Sequence, residues 1–220
     1  MSTASERIEH LVRDGKLSQT EAATLLDAVH VAPPKPSRWA LASNPFERVG
    51  GATAVAVAFV LAAISVLSAR LGVRFDGYFD FHSTANAVPW RVAAIDQLAA
   101  WIVPTIVMWV VGFAIVRRGR FIDMLGAVGL ARLPYALFAA PLRWVTPPIP
   151  NAGAPSAFTV RLAVVLVVAV AMLAWHGTWQ FLAFRNVTGA TGKRLGFGFL
   201  VAFVMSEVAS KLVLVALGAG

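Results

Sequence analysis

Two hydrophobic rhythms divide this chain. Over the first thirty residues, apolar and charged positions alternate at helical spacing. Ile8, Leu11 and Val12 share one face, and Ala22, Leu25, Leu26 and Val29 share another. Thr3-Ala-Ser-Glu6 and Ser18-Gln-Thr-Glu21 both fit the capping box. There a hydroxyl accepts a free backbone amide and the glutamate reaches back to the cap. Gly15 stands where a first helix stops. The pattern predicts a helical hairpin over residues 1–30. Two helices this short cannot bury a core of their own. The face made by Ile8, Leu11, Val12, Leu25, Leu26 and Val29 therefore needs a further surface: a second copy, a protein partner or the membrane.

Beyond residue 47 the alternation gives way to long apolar runs. A bilayer crossing takes about twenty such residues. Runs of that kind cover roughly 49–69, 97–116, 160–182 and 195–217. A fifth stretch, 121–145, is long enough but carries Asp123, Arg132, Pro134, Pro141 and Arg143. Pro134 removes one backbone hydrogen bond, so a kink or split is expected near Arg132. Residues 31–47, with Pro33, Pro34 and Pro36, read as a stiff linker, with Trp39 and Phe46 suited to the membrane interface. The expected organisation is a hairpin over 1–30, a linker over 31–47 and a membrane domain over 48–220. The fold class is an all-α polytopic membrane bundle of about five spans.

Charge decides whether 121–145 crosses or turns back. Arg117, Arg118 and Arg120 follow the second span, and Arg185, Lys193 and Arg194 follow the fourth. The connection after 121–145, TPPIPNAGAPSA, carries no charge. Crossing puts both basic connections on one side, as cytoplasmic loops prefer. The expectation is five spans, N-terminus cytoplasmic and C-terminus external. Arg70, Arg74 and Arg91 on the other side oppose it weakly.

Composition agrees: 58% of the 220 residues are hydrophobic and only 14% charged, whereas soluble domains are about a quarter charged. With no cysteine, disulfides, thiol catalysis and thiolate metal sites are excluded. The net charge of +8 fits loops facing anionic lipid rather than nucleic acid, which requires a clustered basic face. No signal-peptide h-region precedes the first run, so that run is expected to direct insertion itself.

The candidate chemistry is sparse. Glu207 and Lys211 stand four apart inside the last run, the order in which a helix pairs them. A lone central charge costs about 2.5–3.5 kcal/mol to insert, so the two are expected to pair with each other facing the bundle interior. With Asp123 and Arg132 they make up a candidate intramembrane charge network. His176, beside Trp175 and Trp179, reads as interfacial. In RFDGYFDFH, residues 74–82, Asp76, Asp80 and His82 offer ligands a divalent ion accepts, but the spacing is not specific. Phe75, Tyr78, Phe79 and Phe81 suit a segment lying in the interface. No metal or cofactor is expected. Gly72, Gly112, Gly126, Gly129, Gly196 and Gly198 permit close helix approach. Nucleotide-loop, zinc-protease and serine-elbow motifs are missing from the sequence, and no catalytic residue is expected.

The stretches WQFLAFRNVTGATGKRLGFGFLVAFV (179–204) and DMLGAVGLARLPYALFAAPL (123–142) resemble the corresponding spans of prokaryotic Yip-family membrane proteins. The likeness extends over roughly 45–218. RIEHLVRDGKLSQTEAATLLDAV resembles the short SHOCT-like hairpins at the ends of bacterial membrane and stress proteins. Eukaryotic Yip proteins bind small GTPases. Their Asp-Leu-Tyr-Gly-Pro motif does not occur here, so that partner is not carried over. The two resemblances together imply a scaffold of a bacterial inner membrane acting through its hairpin, on a second copy or an unidentified cytoplasmic protein. The alternative is a small-solute transporter or channel using the intramembrane charges.

Overall fold

The computed structural model describes residues 4–30, 43–80, 82–84, 86–145 and 160–218, and it divides into two compact units, Met1–Ser43 and Asn44–Gly220. In the first, α1 (Ala4–Arg13) and α2 (Gln19–His30) form the hairpin. Gly15 makes the turn at φ +68°. The second capping box is formed: Glu21 Oε2 accepts the Ser18 amide at 2.9 Å, and Ser18 Oγ accepts the Glu21 amide at 3.2 Å. Thr3 lies outside the described residues. Ile8 and Ala22 are buried between the helices, while Leu11 and Leu25 stay 37% and 42% exposed. Val12 and Leu26 are intermediate. The side chain of Val29, like Trp39, lies outside the described residues.

The second unit is an all-α bundle. Among the described residues, five helical segments are long and apolar enough to cross a bilayer. They are α3 (Gly51–Arg70), α4 (Trp90–Val116), the broken pair α5 (Phe121–Leu130) and α6 (Leu133–Val145), α7 (Val160–Thr188), and α8 (Gly192–Ala216). Their burial pattern is that of a protein solvated by lipid. On α8 the buried stripe is Leu195, Gly198, Ala202, Ser206, Ser210 and Leu214, mostly small residues one turn apart. Large apolar residues such as Phe59, Val167, Phe197 and Leu212 face outward. With no hydrophobic drive between helices in lipid, close packing of small residues holds such a bundle.

Helices α3 and α5 approach closely. A Cβ on Gly126 would lie 2.6 Å from Ala54 Cβ, and one on Gly129 would overlap Ala58 Cβ and come within 2.6 Å of Trp101 Nε1. Gly112 and Gly198 play the same part between α4, α7 and α8, against Thr188, Phe184 and Ile115. Two glycines differ from the sequence expectation. Gly196 faces open space, and Gly72 serves a turn at φ +83°.

The third segment breaks at Ala131–Arg132, between α5 and α6, and still runs the length of the bundle. Asp123, at its start, lies near Gly51 at the head of α3. Tyr135, beyond the break, donates to the Phe79 carbonyl in the α3–α4 loop at the opposite end. Phe46, expected at the interface, is instead buried edge-on against Trp179 with ring centroids 5.8 Å apart. The short 3₁₀ turn Pro45–Glu47 that carries it therefore belongs to the bundle, as does Asn44, which accepts from Asn186.

Candidate functional site

The loop between α3 and α4 is the most heavily tied non-helical segment described. It opens as a short antiparallel ribbon, Val73 opposite Ser83 and Arg74 opposite His82. It does not spread its aromatics over the surface. Phe75 and Tyr78 are buried inside the bundle, and Phe79 stacks on Phe203 with centroids 4.2 Å apart. Phe81 lies outside the described residues. The reason is hydrogen bonding. An irregular backbone among apolar helices must find partners for its amides, and α8 supplies them.

Glu207 is the principal partner. Its Oε2 accepts the Tyr78 amide at 3.1 Å and the Phe79 amide at 3.0 Å, and Ser210 Oγ also lies 3.2 Å from the Tyr78 amide. Lys211, one turn on, reaches Asp80 at 3.0 Å and Asp76 at 3.7 Å. The expected pairing of Glu207 with Lys211 is thus replaced. Among the described residues the two form no direct ion pair, and each holds the loop. Gly77 passes between them: a Cβ there would sit 2.9 Å from Lys211 Cε and 3.2 Å from Glu207 Oε1. An i, i+4 spacing makes a pair possible, but two aimed amides are a better match for a carboxylate in a low-dielectric setting.

Asp76, Asp80 and His82 each present one ligand atom, all within 4.8 Å of one another. The Lys211 ammonium already lies against both carboxylates, and His82 Nδ1 is 3.4 Å from Asp76 Oδ1. The chain itself supplies the cation that this acidic corner needs. Two of the three arginines that opposed the charge rule are similarly engaged. Arg74 pairs with buried Asp96 at 3.1 Å, and Arg70 donates to the Val88 carbonyl at 3.0 Å and lies over the Trp90 ring.

Arg132 is 3% exposed, and its closest contact is to the Ala100 carbonyl, at 2.6 Å, with Gln97 Oε1 at 3.5 Å. Its guanidinium stands 5.7 Å from the Phe75 ring centroid and 6.0 Å from that of Tyr135. Proline explains the carbonyl. Pro104 has no N–H to return to Ala100, four residues earlier, and the helix widens into a π turn over Leu98–Ile102. Pro104 was the sequence signal for this acceptor. Asp123 is elsewhere, partly exposed in the first turn of α5 and 4.0 Å from Arg120. The four candidate charges therefore do not meet: Glu207 and Lys211 hold the loop, Arg132 sits in the core beneath it, and Asp123 is at the other end.

His176 is not interfacial. The fourth span continues to Thr188, which puts residue 176 at its middle, fully buried. Its ring stacks on Tyr135 at 4.4 Å, meets Tyr78 edge-on at 5.4 Å, and its Nδ1 lies 2.9 Å from the Ala131 carbonyl at the α5–α6 break. Gln180, one turn along, donates to the Val128 carbonyl at 3.3 Å. Burial, and next the neighbouring Tyr135, hold the Tyr78 phenol well above the ordinary tyrosine range, so it stays neutral. Loop and core thus form one polar layer inside an apolar bundle. The chain matches no protein-family model, no curated protein and no solved structure.

Proposed function

We propose that this chain is a Yip-like membrane scaffold of the bacterial inner membrane, which displays its N-terminal hairpin in the cytoplasm to bind protein. One observation carries the reading: the intramembrane charges are engaged in holding structure together. Glu207 and Lys211 hold the loop, and Arg132 fastens two spans. A transporter needs charges free to exchange partners along a path.

The hairpin offers a surface for interaction. It exposes Leu11 and Leu25. Residues 1–30 carry three basic and five acidic side chains, a balance that disfavours anionic lipid and suits a protein, either a second copy or a cytoplasmic partner. The chain has no cysteine, so Leu11→Cys and Leu25→Cys each give a single labelling site. Cross-linking of these variants in native membranes is expected to trap a discrete protein adduct. Leu11→Asp with Leu25→Asp is expected to abolish partner capture without lowering the yield of the membrane unit. Failure to cross-link, together with solute flux in proteoliposomes that Arg132→Met abolishes, would favour the transporter reading.

A further inference from the structure

Three polar atoms in the polar layer have no hydrogen-bond partner among the described residues: Tyr78 Oη, His176 Nε2 and Gln180 Oε1, each on a side chain with no exposed surface. They share one neighbourhood. His176 and Gln180 follow one another by a turn on the same face of α7, and the Tyr78 ring stands edge-on to His176 at 5.4 Å.

Their chemistry is defined by the bonds they do make. A carbonyl can only accept, so the contact with Ala131 puts the neutral imidazole's proton on Nδ1 and leaves Nε2 a bare acceptor. Gln180 gives its amide to Val128, which leaves Oε1 an acceptor. Tyr78 keeps its proton and offers a donor. A ligand that fits must donate twice and accept once. An apolar molecule does neither. A metal ion would take the Nε2 and Oε1 lone pairs, but the Arg132 guanidinium beside Tyr135 opposes a second cation.

We propose that this neighbourhood is a built internal water site, in which one or two bound waters donate to His176 Nε2 and Gln180 Oε1 and accept from Tyr78. Buried waters typically make about three hydrogen bonds to groups otherwise unsatisfied. The site lies beneath the loop held by Glu207 and Lys211, and the waters complete the layer on which that loop rests.

Tyr78→Phe tests the site by the sign of its effect, because it deletes one hydroxyl and preserves the ring. With bound water, the change removes a hydrogen bond, and the full-length protein in detergent is expected to melt lower by about 2–4 °C. Without it, the change removes an unpaired buried hydroxyl and the protein melts at the same temperature or higher, which overturns the proposal. Radiolytic hydroxyl labelling of the parent gives a second reading. Tyr78 is expected to be modified although it has no exposed surface, since the radical forms on the adjacent water. A parent in which exposed Trp90 is labelled and Tyr78 is not also overturns it.

Discussion

Glu207 and Tyr78 are joined across 129 positions of sequence, the Glu207 carboxylate accepting the Tyr78 amide at 3.1 Å. The bond turns a charge that is costly to insert into the anchor of an irregular loop. The carboxylate accepts two of the loop's amides and the Ser210 hydroxyl lies against one of them, so the glutamate's role is tied to the backbone of residues 78 and 79 rather than to the lysine four residues away.

That geometry sets an order of stabilities. Glu207→Leu strands the Phe79 amide and is expected to cost about 1–3 kcal/mol, the penalty of an unmet buried donor. Lys211→Met removes a partly exposed ammonium and is expected to cost about 0–1 kcal/mol. The double change should melt no higher than Glu207→Leu alone. Thermal unfolding of the three in detergent checks this, and a double variant that recovers parent stability would mean the two charges pair directly.

Glycine substitutions separate packing from propensity. Gly129→Ala drives a methyl into Ala58 and Trp101 and is expected to destabilise by about 1–3 kcal/mol. Gly196→Ala meets nothing within 4 Å and is expected to stabilise slightly, by about 0.5–1 kcal/mol, because alanine is the better helix former. Melting curves that rank them the other way would contradict the α3–α5 approach described above.

Arg132 and Pro104 are expected to couple. Arg132→Met leaves the Ala100 carbonyl without its donor. Pro104→Ala restores an N–H four residues on. The loss from Arg132→Met should therefore shrink by about 1 kcal/mol in the Pro104→Ala background. A double-mutant cycle on thermal stability measures it, with strict additivity as the opposing result.

The hairpin is expected to depend on pH through Glu21. Its hydrogen bonds from the Ser18 backbone, then from the Ser18 hydroxyl, hold its carboxyl below the usual range. A depressed folded value means the contribution is complete above the unfolded value, about 4.3, and is lost as pH falls through the folded one. Helix content of a 1–30 peptide, small even at neutral pH because such helices are marginal alone, should fall further under acid. Glu21→Gln should flatten that dependence.

The proposed orientation rests on the two basic turns. Thr191→Cys is expected to be shielded from an impermeant thiol reagent in sealed cells, and Asn86→Cys, at the opposite end of the bundle, to react. Both positions are exposed. Labelling of Thr191→Cys would reverse the proposed placement of the hairpin.

The spans, the break near Arg132 and the hairpin with its Ser18 cap were all legible, because each is a local property: apolar run length, a proline, a hydroxyl three residues before a glutamate. The partners were not. Nothing near Glu207 announces amides from residues 78 and 79, and an i, i+4 lysine offered an easier answer. His176 falls at mid-span because the helix continues past 182 to Thr188, a continuation that the basic Arg185, nine residues beyond the histidine, masks in the sequence. The Ala100 acceptor was available from Pro104, four residues later, by the same rule that located the Arg132 break.

The bond between Glu207 and Tyr78 also constrains biosynthesis. Residues 74–80 leave the ribosome long before α8 does. At about 5–20 residues per second, the interval across 129 positions is on the order of ten seconds. During it the acidic corner has no Lys211 and the Tyr78 and Phe79 amides have no carboxylate. The loop must wait, hydrated, while three further crossings are made. Its docking therefore comes only with the last helix: a chain stalled before Glu207 lacks the carboxylate that fastens residues 78 and 79.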